Sequence, residues 1–100
     1  MYKSAILGCG GRARGHARAY DHVTGGKLAA ICDTDGGRLE AFGEQFGVAA
    51  RYADIHEMLD TEKPDLLHVV TQPDLRMPLL TIAADHKVPA VVVEKPIAIQ

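Results

Sequence analysis

The stretch Ala5-Ile6-Leu7-Gly8-Cys9-Gly10-Gly11-Arg12-Ala13 decides how this chain is read. A short apolar run breaks into a glycine cluster, and helical spacing begins at once, with Ala13, Ala17 and Tyr20 at i, i+4 and i+7. The stretch therefore predicts a strand over Lys3–Leu7, a tight turn and a helix whose inner face is built from small residues. The next residues repeat the theme. Gly25-Gly26 stops the helix, and Leu28–Cys32 reads as a second strand ending at Asp33. Leu39, Phe42 and Phe46 give a second helix its apolar face, with Gly47 as its C-terminal glycine.

The pattern continues to the far end of the sequence. A short strand at Ala50–Tyr52 leads into Asp54-Ile55-His56-Glu57, an Asp-x-x-Glu form of the capping box that opens a third helix. Lys63-Pro64-Asp65 reads as a turn, and Leu66–Val70 as a strand covered on both faces. Thr71-Gln72-Pro73-Asp74 forms the loop after it. A helix from Leu75 to His86 and a fifth strand, Ala90–Val93, complete the series. Strands alternating with helices imply β-α-β units, and right-handed crossovers give a three-layer α/β sandwich with a parallel sheet in the order 3-2-1-4-5. A ligand is expected at the carboxyl ends of the strands, near the switch between the first and the fourth. Gly8–Ala13, Asp33, Thr71–Asp74 and Glu94–Pro96 all fall on that edge.

Composition limits the alternatives. The chain has 100 residues, 13 acidic and 11 basic, with a formal charge of −2, 47% apolar residues and two cysteines. This is neither a disulfide-stapled miniprotein, nor an acidic tail, nor a basic nucleic-acid arm. One domain is expected, with no room for a second of ordinary size. No apolar run approaches the roughly 18 residues needed to span a bilayer, and no signal peptide is legible, so a cytoplasmic protein is expected. Cys9 and Cys32 lack metal or redox spacing and read as reduced small residues. The five histidines are expected to be structural or solvated. His16 and His22 face different ways on one helix, His68 lies in a strand, and His56 and His86 belong to separate helices. No metal site is expected.

Gly8-x-Gly10-x-x-Ala13 matches the dinucleotide fingerprint in its alanine-ending form. Gly8 makes the turn, Gly10 lets the backbone approach a pyrophosphate, and Ala13 allows close packing of helix on sheet. With Gly11 and Arg12 these residues form the candidate phosphate cradle at a helix N-terminus. Asp33 follows Ala13 by about 20 residues, the spacing expected for the ribose-binding acid. A carboxylate there favours NAD over NADP. A competing reading makes Asp33 a helix cap, and Arg38 leaves a 2′-phosphate contact open. Arg12 and Arg14 flank the pyrophosphate position. Beyond the fifth strand, Glu94-Lys95-Pro96 places a cation on the same edge, in a backbone restricted by the proline.

Together these elements resemble the Gfo/Idh/MocA oxidoreductases. The resemblance rests on Gly8-Cys9-Gly10-Gly11-Arg12-Ala13-Arg14-Gly15-His16, Cys32-Asp33, Thr71-Gln72-Pro73 and Glu94-Lys95-Pro96, in the family's order along the whole chain. It implies that Thr71, Gln72, Pro73 and Glu94 line the cofactor. It also implies that Lys95 lies beside the nicotinamide and the reacting carbon, hydrogen-bonding the substrate hydroxyl as hydride leaves for NAD. The implied substrate is a sugar, polyol or related hydroxy compound. Family members have a second domain that supplies most substrate contacts, so the chain is expected to be the N-terminal cofactor domain without that half. Arg76 and Met77 stand where many members carry a histidine, and His86-Lys87-Val88-Pro89 replaces a common Ala-Gly step. A non-catalytic dinucleotide-binding or sensor module remains the alternative function. A methyltransferase-like domain is a weaker third option, which Glu94-Lys95-Pro96 argues against. The open edge of the fifth strand predicts self-association.

Overall fold

The computed structural model describes residues 2–20, 26–70 and 76–93, apart from the side chains of residues 11, 12, 76–78 and 93. The elements run β1 (Tyr2–Leu7), α1 (Gly11–Ala19), β2 (Gly26–Cys32), α2 (Gly36–Phe46), β3 (Ala50–Tyr52), α3 (Ile55–Glu62), β4 (Leu66–Val69), α4 (Arg76–Asp85) and β5 (Ala90–Val93). The five strands form one sheet in the order β3-β2-β1-β4-β5, with every described pairing parallel. This is the order expected from the sequence.

Strand alternation sorts the core into two layers. Ala5, Leu7, Ala30, Cys32, Leu67 and Val69 face Met58 and Leu59 of α3 and Ala83 of α4. Ile6 and Ile31 point the other way, to Ala13 and Ala17 of α1 and to Leu39 and Phe42 of α2. Phe42, Ile6, Ile31, Met58 and Leu67 are fully buried. Each such side chain contributes about 1.5–3 kcal/mol relative to an exposed one.

Element ends follow local chemistry. The Asp35 side chain caps α2 by accepting from the Arg38 amide, and Gly47 closes that helix in the left-handed region at φ 67°. At α3, Asp54 accepts from the His56 amide at 3.1 Å. The expected capping box is thus present in its aspartate half, with the bond made two residues on rather than three. β2 begins at Gly26, earlier than expected and within the glycine pair read as a helix stop. Ser4 pairs with Leu28 and Ala5 with Ala30, so Ala29 is the extra residue of a bulge. The Val70 amide still donates to the Leu7 carbonyl at 2.9 Å, which carries the β4 ladder one bond past its last residue.

The register across the sheet places the site. Leu7 pairs with Cys32 and with Val69, and Val69 pairs with Val93. Cys32 also pairs with Tyr52, so all five strands end on one line, and Gly8 and Asp33 follow directly where β1 and β2 stop.

Candidate cofactor site

The turn after β1 needs glycine at its first position. Gly8 has φ 97°, a region that L side chains rarely adopt, and its amide donates to the Cys32 carbonyl at 2.8 Å. That bond ties the loop to the end of β2. The next amide, of Cys9, donates to Asp33 Oδ2 at 2.8 Å, while Asp33 Oδ1 accepts from the Asp35 amide at 2.8 Å. Asp33 thus bridges the glycine loop and the start of the α2 turn. A carboxylate has about four lone-pair sites, so two backbone amides leave acceptor capacity for a pair of vicinal hydroxyls. Asp33 is 9% exposed, a carboxylate held at the rim rather than sealed in the core.

α1 starts at Gly11, with Gly10 at its N-cap and no capping side-chain hydrogen bond. Its first-turn amides have no intrahelical acceptor, and the helix dipole adds a positive partial charge. A Cβ built on Gly10 would meet none of the described residues within 4 Å, so no described side chain fills the space in front of the helix end. Ala13 is fully buried, where a larger side chain would push α1 off the sheet. An uncapped helix end of this kind is able to receive a phosphate group.

Asp35, not Asp33, caps α2, and the Arg38 guanidinium lies 3.8 Å from Asp35 on the exposed helix surface. Gly11 and Arg12 lie in the first turn of α1, and Arg14 is exposed. Thr71, Gln72, Pro73, Glu94 and Lys95 lie outside the described residues. Burial, with the neighbouring Asp33 charge, pushes the Cys9 and Cys32 thiols up to about 12, which favours the protonated thiol at both positions.

Among the described residues, histidines far apart in sequence meet in two pairs. His16 Nδ1 lies 3.0 Å from His68 Nδ1, and His56 Nδ1 lies 3.1 Å from His86 Nε2, with His86 Nδ1 also 3.0 Å from Asp60. Helix packing brings α1 over β4, and α3 beside the end of α4. His86, at one of the departures from the family pattern, is thus occupied in a helix-to-helix contact. No group of three or more His, Cys, Asp or Glu among the described residues could hold a metal ion. Ser4, Tyr20 and His68 form a further polar cluster that the sequence reading missed. The available signal was a serine and a histidine inside two otherwise apolar strands.

The fold and the cradle define a dinucleotide-binding domain of the Rossmann type. The family model for the GFO_IDH_MocA oxidoreductases, described as an oxidoreductase family with an NAD-binding Rossmann fold, matches residues 2–100. The chain belongs to this family and is its NAD-binding domain. It is 38% identical over 96 residues to a D-apiose dehydrogenase of Rhizobium rhizogenes, covering 96% of this chain and 28% of that protein. A D-apiose dehydrogenase of Paraburkholderia graminis is 35% identical over 98 residues, 98% of this chain and 26% of the relative. The chain thus spans about a quarter of the length of the curated relatives it matches. Among solved structures, an oxidoreductase from Agrobacterium radiobacter in complex with NAD+, L-tartaric acid and magnesium superposes with a TM-score of 0.88. It is 38% identical and is matched over 97% of this chain and 28% of that one.

Proposed function

We propose that this chain is the N-terminal cofactor-binding part of a two-domain dehydrogenase that moves hydride between NAD and a sugar, polyol or related hydroxy compound. The observation that carries the reading is the joining of the Gly8–Gly10 loop to Asp33 through the Cys9 amide, beside an uncapped helix end. The relatives named D-apiose dehydrogenase support the substrate class. NAD, when bound, accepts or returns the hydride. The chain's own residues orient it: the α1 amides hold the pyrophosphate, and the remaining lone pairs of Asp33 accept from the ribose hydroxyls. A 2′-phosphate would meet that carboxylate at close range, which favours NAD over NADP.

Lys95, following Glu94 and restricted by Pro96, takes the substrate side in this proposal. Its neutral amine takes the proton of the reacting hydroxyl as hydride leaves for NAD, and the ammonium so formed returns it in the reverse direction. Thr71, Gln72, Pro73 and Glu94 line the cofactor. In the full-length protein, Lys95→Met is expected to lower turnover at least 100-fold while NAD affinity changes by less than about threefold. Equal turnover in the variant would contradict the assignment.

Two further expectations belong to the same proposal. Cys9 and Cys32 are free, as suits a reducing cytoplasm, and no described helix is long and apolar enough to cross a membrane. β5 lies at the sheet edge among the described residues, with Val92 39% exposed, and we propose that copies of the chain associate through it. Light scattering at rising concentration tests this, and a strictly monomeric species would count against it.

A further inference from the structure

We propose that Ser4, His16, Tyr20 and His68 are positioning residues for the cofactor site, a hydrogen-bonded peg that fixes where the N-terminus of α1 stands relative to the sheet. The inference rests on the NAD-binding reading and goes beyond it, because none of the four residues belongs to the glycine loop or to the ribose-binding acid.

The geometry is a continuous chain. Tyr20 Oη donates to Ser4 Oγ at 2.7 Å, and lies 2.6 Å from His68 Nε2. Since the phenol hydrogen is committed to Ser4, His68 Nε2–H donates to the phenol oxygen. That leaves His68 Nδ1 as a bare acceptor, filled by His16 Nδ1–H at 3.0 Å. The contacts thus run without a break from His16 through His68 and Tyr20 to Ser4. Ser4 is fully buried and His68 is 8% exposed.

The need for such a peg follows from what else holds α1. The helix packs on the sheet through Ala13 and Ala17, whose small side chains allow close approach but interlock little. An alanine face resists separation better than it resists sliding along the helix axis. His16 on α1 and Tyr20, the C-cap residue one turn on, reach β4 and β1, so they fix both the slide and the rotation of the helix. Buried polar groups are satisfied in one arrangement only, whereas apolar contacts accept several. The end of the same helix carries the phosphate cradle, and a displacement of a fraction of an ångström there weakens every amide contact together.

Calorimetric titration of NAD into the chain, at a temperature where each variant is folded, tests the proposal. His68→Leu is expected to raise the NAD Kd about tenfold, and Tyr20→Phe about threefold. His68→Gln, whose amide can restore the donor to Tyr20, is expected to recover most of the loss. Met58→Ala, in the opposite core layer, is expected to lower the melting temperature at least as much as His68→Leu while leaving Kd unchanged. A merely structural network would give His68→Leu the wild-type Kd, and that result, or no recovery with His68→Gln, overturns the proposal. Should His68→Leu not fold, wild-type affinity in Tyr20→Phe overturns it equally. Failure of the unmodified chain to bind NAD would instead refute the cofactor reading.

Discussion

The two faces of the sheet are built on different terms. The face under α3 and α4 is apolar from Ala5 and Leu7 through Leu67 and Val69 to Met58, Leu59 and Ala83. The face under α1 and α2 has an apolar half around Ile6, Ile31 and Phe42, and beside it the Ser4–Tyr20–His68–His16 chain. The first face needs only volume and shape. The second must also hold α1 in register, because that helix ends at the cofactor. The contrast separates what makes the chain fold from what makes it bind.

The largest effects that test this contrast are expected in stability. Phe42→Ala should cost about 3–5 kcal/mol and Met58→Ala about 2–5 kcal/mol, read from urea unfolding. At temperatures where both are folded, neither should change NAD affinity by more than about twofold. A larger affinity loss in Met58→Ala would erase the distinction between the faces.

A smaller effect concerns pH. Burial, and then the neighbouring His16, push His68 down to about 4, whereas its ordinary value is 6.5. The folded chain therefore refuses a proton that the unfolded chain accepts. Stability from this group is complete above 6.5 and is lost as the pH falls from there toward 4, by on the order of 1–3 kcal/mol. Glu62 is held below its ordinary value, chiefly by the Tyr52 hydroxyl at 2.5 Å and then by Lys3, so its contribution is lost only at more acid pH. Urea midpoints at pH 7 and pH 5, compared between the unmodified chain and His68→Leu, test this contribution. His68→Leu should show a smaller drop between them than the unmodified chain, and an equal drop would contradict the assignment.

Gly10 gives the reverse case, an effect on binding with little on folding. Its φ is −85° and a Cβ there meets none of the described residues, so Gly10→Val should leave the melting temperature within a few degrees. The same side chain would stand where a pyrophosphate must approach, and NAD affinity should fall about tenfold or more, at least 1.4 kcal/mol. Unchanged affinity would move the cradle elsewhere. The smallest effect is chemical: Cys9 and Cys32, pushed up to about 12 by burial, should resist alkylation at pH 8 until the chain unfolds.

The strand order was legible because the strands are short, largely apolar runs, several bounded by glycine, proline or acid, as at Leu7-Gly8 and Cys32-Asp33. The turn after β1 was legible because Gly8 is required by its positive φ and Ala13 by close helix packing, both of which spacing records, whereas Gly10 is required by neither and stays a proposal about binding. What spacing does not record is which side chains meet after the helices cross the sheet. His16 and His68, or His56 and His86, are far apart in sequence and come together through packing alone. Asp33 and Asp35 show the limit in miniature, since both can cap α2 on sequence grounds and only hydrogen bonding assigns the cap to Asp35. Thr71, Gln72, Pro73, Glu94 and Lys95, drawn from the family pattern, lie outside the described residues and remain proposals.

The central claim is that the glycine loop and Asp33 together hold NAD, and calorimetric titration of the chain and its Asp33→Ala variant with NAD and NADP tests it most directly. The account predicts tighter binding of NAD than of NADP by the unmodified chain, and at least a tenfold loss of NAD affinity in Asp33→Ala. Tighter binding of NADP, or an Asp33→Ala variant that binds NAD as well as the parent, would contradict it.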